Sequence, residues 1–319
     1  MKIFVTGTAG FIGMHLAHSL LDDGHEVVGL DNFNDYYGVQ LKLDRHASLE
    51  KRKNYTGIKG DLADYELLGK VFREHKFDRV CHLAAQAGVR YSITHPFAYQ
   101  KANLEGHLNI LETCRHANIQ RLVYASSSSV YGGNKKVPFS ESDPVDSPIS
   151  LYAATKKADE LMSHTYTHLY GLQTVGLRFF TVYGSWGRPD MAYWLFTKNL
   201  LEGKPIQVFN HGDMKRDFTY VDNIVSGVKA SLFAAGLEPY EIFNLGNNKP
   251  ENLMDMIRLI AETLGVEPKM EMLPMQPGDV PVTYADISKA RKKLGYVPHT
   301  PIAEGIPEFV KWYREYHHV

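Results

Sequence analysis

The chain has 319 residues, 44% hydrophobic and 22% charged, with a formal net charge of −1. Those proportions describe an ordinary globular protein, long enough for a substantial core and for division into two lobes. The near-neutral balance and the lack of a long basic run argue against nucleic acid or an anionic membrane as partner.

The chain enters a strand at once. No charged region precedes an apolar leader and no apolar run reaches membrane-spanning length, which predicts a cytoplasmic protein. Cys81, in Arg79-Val-Cys-His-Leu83, and Cys114, in the helical stretch 108–116, read as reduced core thiols. None of the 15 histidines combines ligand spacing with nearby carboxylates, so no metal site is expected.

In chain order, the apolar strand Lys2-Ile-Phe-Val-Thr6 runs directly into Gly7-Thr-Ala-Gly10-Phe-Ile-Gly13, which opens a helix from Phe11. One glycine makes a tight turn, one lets backbone amides approach a pyrophosphate, and the third lets helix pack on strand. The helix amino terminus then faces the anion. The spacing differs by one residue from the commonest dinucleotide fingerprint. The next strand, Glu26 to Leu30, ends in Asp31, 18 residues after Gly13. A carboxylate there accepts hydrogen bonds from an adenosine ribose and repels a 2′-phosphate, which favours NAD over NADP.

Strands at Tyr55–Lys59, Arg79–Leu83, Arg121–Ala125 and Gln173–Arg178 alternate with helices starting at Asp64, near Asn103 to Ala117, and at Leu151 to Tyr170. The alternation predicts an α/β fold, a doubly wound parallel Rossmann-type sheet with a smaller mixed α/β lobe. The second half carries proline punctuation at 189, 205, 239, 250, 268, 274, 277 and 281, as suits a lobe that closes over a ligand. Within it, residues 252–264 show the apolar stripe of a core helix.

The serine run Ser126 to Ser129 follows the strand Leu122-Val-Tyr-Ala125, at the end of a parallel sheet where ligands bind. Tyr152 and Lys156 lie four residues apart, on one face of a helix. A cation held there favours phenolate over phenol, which makes the pair an acid/base apparatus.

Together these residues resemble the extended short-chain dehydrogenase/reductase family and, within it, the nucleotide-sugar epimerases. The resemblance covers essentially the whole chain and includes the glycine loop, Asp61-Leu62, Leu83-Ala-Ala85, Asn103, the serine run, Tyr152/Lys156 and Arg216-Asp-Phe-Thr-Tyr-Val-Asp222. It implies a catalytic set of Ser127, Tyr152 and Lys156. It implies cofactor contacts at Gly7, Gly10, Phe11, Ile12, Gly13, Asp31, Asn32, Asp61, Leu62, Leu83, Ala84, Ala85, Asn103, Tyr152 and Lys156. It also implies a NAD-binding domain over 1–180, with later segments folding back into it, a UDP-sugar domain over 181–319, and a homodimer through helices near Asn103 and Tyr152.

The stretch from Arg178 to Met191, with Gly88-Val-Arg90 upstream, resembles bacterial and plant UDP-glucuronate 4-epimerases, whose product serves polysaccharide synthesis. Ser128, Ser129 and Thr181 offer hydroxyls to a uronate, and Arg188 offers a fork that matches a carboxylate. The alternatives for Arg188 are a surface residue or a pyrophosphate contact. Arg90, Arg216 and Asp279 complete the expected substrate set. One departure is Ser185, where the family usually has proline after Tyr-Gly. Three rival activities remain: a neutral UDP-glucose or UDP-N-acetylglucosamine 4-epimerase, a uronate decarboxylase, and a dehydratase. The last needs Asp-Glu after the catalytic hydroxyl, where Ser128 and Ser129 stand. A non-catalytic nucleotide-binding module would be expected to have lost the Tyr/Lys pair.

Overall fold

The computed structural model describes residues 1–276 and 279–319, so Pro277 lies outside the described residues. The first half runs β1 (Lys2–Thr6), α1 (Phe11–Asp22), β2 (Glu26–Asp31), α2 (Val39–Glu50), β3 (Tyr55–Lys59), α3 (Tyr65–His75) and β4 (Arg79–His82). Two single-turn helices follow, α4 (Tyr91–Thr94) and α5 (Pro96–Tyr99), then a π-helical stretch, Gln100–Glu105, leading into α6 (Gly106–His116). Next come β5 (Arg121–Ser127), α7 (Leu151–Tyr170) and β6 (Gln173–Phe179).

Residues 181–319 supply β7 (Thr181–Tyr183), α8 (Ala192–Leu201), β8 (Ile206–Val208), β9 (Lys215–Arg216), β10 (Phe218–Tyr220), α9 (Val221–Phe233) and β11 (Tyr240–Leu245). The chain ends with β12 (Glu251–Asn252), α10 (Leu253–Leu264), β13 (Met270–Met272), β14 (Val282–Thr283), α11 (Ser288–Leu294) and α12 (Ile302–His317).

A seven-stranded sheet in the order β11-β6-β5-β4-β1-β2-β3 forms the centre, every pair parallel. Its strands read as apolar runs because helices cover both faces. One face buries Leu16 and Leu20 of α1 with Ile224 and Val228 of α9. The other buries Leu68 of α3 and Ile110 of α6. A separate core joins Trp194 of α8, Ile257 of α10 and Phe309 of α12. The chain order of these cores is mixed: β11 and α9, from beyond residue 180, belong to the large sheet and its cover.

Local chemistry fixes the helix ends. Asp64 caps α3 by accepting from the Leu67 amide at 2.9 Å, so the helix begins one residue after the expected start. Ser150 caps α7 by accepting from the Ala153 amide at 3.1 Å, and Gly171 ends it with φ +70°. Strand β5 and helix α2 differ most from the sequence reading. Strand β5 continues through Ser126 and Ser127, because the Ser126 hydroxyl finds Glu160 Oε1 at 2.7 Å and both residues keep their ladder partners. Helix α2 had no sequence signal, since two of its four buried residues are the cations Lys42 and Arg45.

Candidate active site

The carboxyl ends of the parallel strands open into one cavity of about 1150 Å³ that reaches from the Gly7–Gly13 loop to the smaller lobe. At the loop end its wall is main chain. Gly7 has φ +79°, and a Cβ there would lie 2.8 Å from the Ala84 nitrogen. A Cβ on Gly13 would collide with the Gly7 carbonyl. Helix α1 has no side-chain cap on its amino terminus, which leaves its first amides for an anion.

Asp31 accepts from the Ala9 amide at 3.0 Å and the Phe33 amide at 2.9 Å, one bond per oxygen, and so keeps acceptor capacity for a ribose. Burial pushes its carboxyl up, opposed by those bonds and by the nearby Lys42. Asn32 is exposed at the rim. Asp61 accepts from the Ala63 amide at 3.0 Å and from Lys101 at 3.1 Å. Partial burial raises its carboxyl, and these two partners outweigh that and hold it below its usual value. Phe11, Ile12, Leu62, Leu83, Ala84 and Ala85 line the same end.

Asn103 is placed differently from the expectation. It is buried at 1% exposure and lies outside the cavity wall. Its amide is spent on the Gln86 main chain, at 2.8 and 3.1 Å, and on Thr155 Oγ1 at 3.0 Å. It therefore ties α7 to the loop after β4.

At the middle of the cleft, Tyr152 and Lys156 face the cavity with Ser127, Ser128 and Ser129 opposite. Lys156 donates to the Ala125 carbonyl at 2.9 Å and to Asp159 at 3.1 Å. Tyr99 packs its ring edge-on to Tyr152, with centroids 6.0 Å apart. The Ser127 hydroxyl accepts from the Ser129 amide at 3.1 Å, which turns the chain and exposes the serine run. Beneath, Arg178 of β6 grips Glu160 through two bonds of 2.8 and 2.9 Å and so fixes α7 on the sheet.

At the far end stand Thr181, Arg188, Arg216, Arg90 and Asp279. Arg188 is neither a surface residue nor an open fork. Its Nε and one terminal nitrogen engage Asp190 at 3.0 and 2.5 Å, and the Tyr36 hydroxyl donates to the same carboxylate at 2.9 Å. Burial would raise the Asp190 carboxyl, but Arg188 holds it below the usual range. Arg90 pairs with Asp279 at 3.1 Å and lies 4.9 Å from the Phe209 ring centre. Asp217, beside Arg216, is fully buried and accepts from the amides of Asn247, Asn248 and Ala285.

Several wall residues escaped the sequence reading: Tyr36, Lys42, Asp190 and Phe209. Arg45 lies behind the wall at 0% exposure and donates to Ala9 O, Tyr37 Oη, Trp186 O and Gly187 O. It thereby fastens the glycine loop to the Arg188 loop. Ser185 contributes its carbonyl to the same attachment by accepting from His15 Nε2 at 2.9 Å. Only Asp190 had a signal in sequence, as a carboxylate two residues from a candidate arginine. Among the described residues no group of three or more His, Cys, Asp or Glu could hold a metal.

Residues 3–246 match the family of NAD dependent epimerases and dehydratases. The chain belongs to that family. It is 50% identical over 333 residues to UDP-glucuronate 4-epimerase 4 of Arabidopsis thaliana, covering 99% of this chain and 76% of that protein. The crystal structure of UDP-glucuronic acid 4-epimerase from Bacillus cereus, in complex with UDP-glucuronic acid and NAD, superposes with TM-score 0.93 at 35% identity. The match covers 99% of this chain and 100% of that one. UDP-glucose 4-epimerase from Thermotoga maritima, with UDP-glucose, gives TM-score 0.89 at 30% identity, over 99% and 100% of the two chains.

Proposed function

We propose that the protein interconverts UDP-glucuronate and UDP-galacturonate by NAD-dependent 4-epimerisation. The observation that carries this reading is the convergence, in one cavity, of an uncapped glycine-rich helix terminus, the Tyr152/Lys156 pair and the Arg188 fork. The identity to the plant UDP-glucuronate 4-epimerase supports the uronate.

The walls fit the cofactor. The amides of α1 take the pyrophosphate, Asp31 and Asn32 the adenosine ribose, and Asp61 and Leu62 the adenine. Bound NAD accepts the hydride from C4 and returns it. Tyr152 removes the proton from the sugar 4-hydroxyl and later gives it back, Lys156 favours its ionised form, and Ser127 shares the proton path. The flat 4-keto sugar turns about its bond to the pyrophosphate, so the second face is the one reduced.

A 4-keto sugar beside a C5 carboxylate loses carbon dioxide unless that carboxylate is restrained. Ser128, Ser129 and Thr181 supply hydroxyls for this. Arg188 supplies the terminal nitrogen that Asp190 leaves free. Arg216, Arg90 and Asp279 bind the UDP portion.

We also assign the protein to the cytoplasm, which two free, buried thiols support. A homodimer through α6 and α7 is supported by the exposed apolar residues Leu108, Leu161, Leu169 and Tyr170. No helix of the described residues is long and apolar enough to cross a membrane.

The test is incubation of the purified protein with UDP-glucuronate, UDP-glucose and UDP-N-acetylglucosamine, with separation of the products. UDP-galacturonate should form fastest. A UDP-pentose as main product would make the protein a decarboxylase, and faster turnover of a neutral sugar would overturn the uronate assignment.

A further inference from the structure

The floor under the Tyr152/Lys156 pair is a layer of buried ionisable groups. Lys156 and Asp159, one turn apart on α7, have side-chain exposures of 3% and 1% and meet at 3.1 Å. Lys156 spends a second proton on the Ala125 carbonyl, leaving one donor for the cleft. Asp159 Oδ1 has no hydrogen-bond partner among the described residues, so Lys156 is the group that holds this carboxylate. A buried carboxylate with half its acceptors unmet costs stability unless a charge compensates it.

The surrounding groups leave that compensation to the pair itself. His82, at the end of β4, is pushed down to about 3 by burial and by the nearby Lys156. His107 of α6 is pushed well down by burial, then by His82 and Lys156. Both rings are therefore neutral at working pH. Glu160, the next residue on α7, is matched by Arg178 of β6 and faces Lys157 at 3.9 Å. Tyr124 of β5 and Tyr240 of β11 are phenols that burial keeps protonated. Tyr99 of α5, packed on the Tyr152 ring, is likewise kept protonated by burial. Lys156 and Asp159 are thus the charges of this layer that act directly on one another, while the Arg188 guanidinium acts on Tyr152 from the far end of the cleft.

We propose that Asp159 is the counter-charge of the Tyr152/Lys156 pair: it holds the ammonium at the cleft floor and sets how strongly that ammonium acts on the Tyr152 oxygen. The inference rests on the reading of Tyr152 as the base. Asp159 is a positioning residue, since it touches Lys156 and lies outside the cavity wall. Burial raises the Asp159 carboxyl, against the opposing pull of Lys156.

Removing the carboxylate has a signed consequence. An anion taken away from the cleft floor favours negative charge there and disfavours positive charge, so both limbs of the pH–rate profile move to lower pH.

The experiment measures kcat and KM for UDP-glucuronate against pH in the NAD-loaded protein and in its Asp159→Asn and Asp159→Ala variants. Both limbs should shift down by about one pH unit, with KM and NAD content little changed. Limbs that stay in place in a folded, NAD-loaded variant would overturn the proposal. Failure of both variants to fold would also overturn it, by making the carboxylate structural. Tyr152→Phe is measured alongside. If it retains turnover, the assignment of the base fails and takes this inference with it. If it is inactive while the Asp159→Asn limbs stay put, the inference alone fails.

Discussion

At the Gly7–Gly13 end the cleft wall is main chain, whereas at the Arg188 end it is a set of side-chain pairs: Arg188 with Asp190 and Tyr36, and Arg90 with Asp279. The first kind of wall is local. Strand, turn and helix from one short segment position the amides, and their dipoles need no counter-ion. The second kind draws on residues up to 189 positions apart, and Arg188 and Arg90 arrive already paired with carboxylates. A substrate carboxylate at that end must therefore share a guanidinium, while a pyrophosphate at the other end meets unspent donors. On the proposed reading, backbone shape governs nucleotide recognition and competition among charges governs sugar selectivity.

Tyr152 stands where the two halves meet, so its loss separates chemistry from binding. Tyr152→Phe should lower kcat by about a hundredfold to ten-thousandfold, because one positioned acid/base oxygen is removed. NAD content and UDP affinity should hold. A variant that keeps half of normal kcat would show that another group moves the proton.

The Arg188 end is tested by a cycle. Arg188→Ala leaves the Asp190 carboxylate facing an anionic substrate, and kcat/KM for UDP-glucuronate should fall by roughly 2–5 kcal/mol. Adding Asp190→Asn removes the stranded charge, and the double variant should recover about 1–2 kcal/mol of that loss. NAD affinity should stay put throughout. If UDP affinity falls as far as uronate affinity, Arg188 serves the pyrophosphate. If NAD affinity falls too, the halves are not separate, and Arg45, which bonds to both loops, is the residue that joins them.

The same contrast explains what could be read before the fold was known. The Gly7–Gly13 loop, Asp31 and the Tyr152/Lys156 spacing were legible because each depends on neighbours in sequence. Arg45 was not: its helix looks polar, and full burial of a guanidinium follows from four oxygens that the distant loops bring to it. Asn103 was legible as a residue that matters, but its bonds to the Gln86 main chain and to Thr155, which lie 17 and 52 positions away, were not. For Arg188 the sequence offered the fork and, two residues on, its carboxylate partner, but not Tyr36, which reaches that carboxylate across 154 positions.

Below both halves, His82 makes stability depend on acid. Burial and Lys156 depress its folded-state value from 6.5 to about 3. Its contribution is present in full above about 6.5 and is lost as pH falls from there towards about 3, on the order of 2 kcal/mol by pH 5. Asp159 and Asp217, raised to about 7 and about 6 by burial, act with the opposite sign, since their contribution fades as pH rises through those values. The measured slope is therefore a difference. His82→Gln should lessen the loss between pH 7 and pH 5 in denaturant unfolding, and an unchanged slope would mean that folding leaves the proton affinity of His82 unaltered.

The smallest expected effect sharpens the backbone half, where one side chain still discriminates. Asp31 ends β2 with both oxygens bonded to amides, and on the proposed reading its charge faces a ribose 2′-hydroxyl, where NADP carries a phosphate. Two anions there repel, so the unmodified protein should bind NAD well above NADP, and Asp31→Ala should narrow the ratio by about tenfold. The Ala9 and Phe33 amides lose their acceptors in this variant, so part of the NAD affinity falls as well. The ratio of the two dissociation constants, measured by titration, separates these effects because the lost amide bonds weaken both cofactors alike. Equal affinity of the unmodified protein for NAD and NADP would show that Asp31 only shapes the loop. The nucleotide half would then read its ligand through main chain alone.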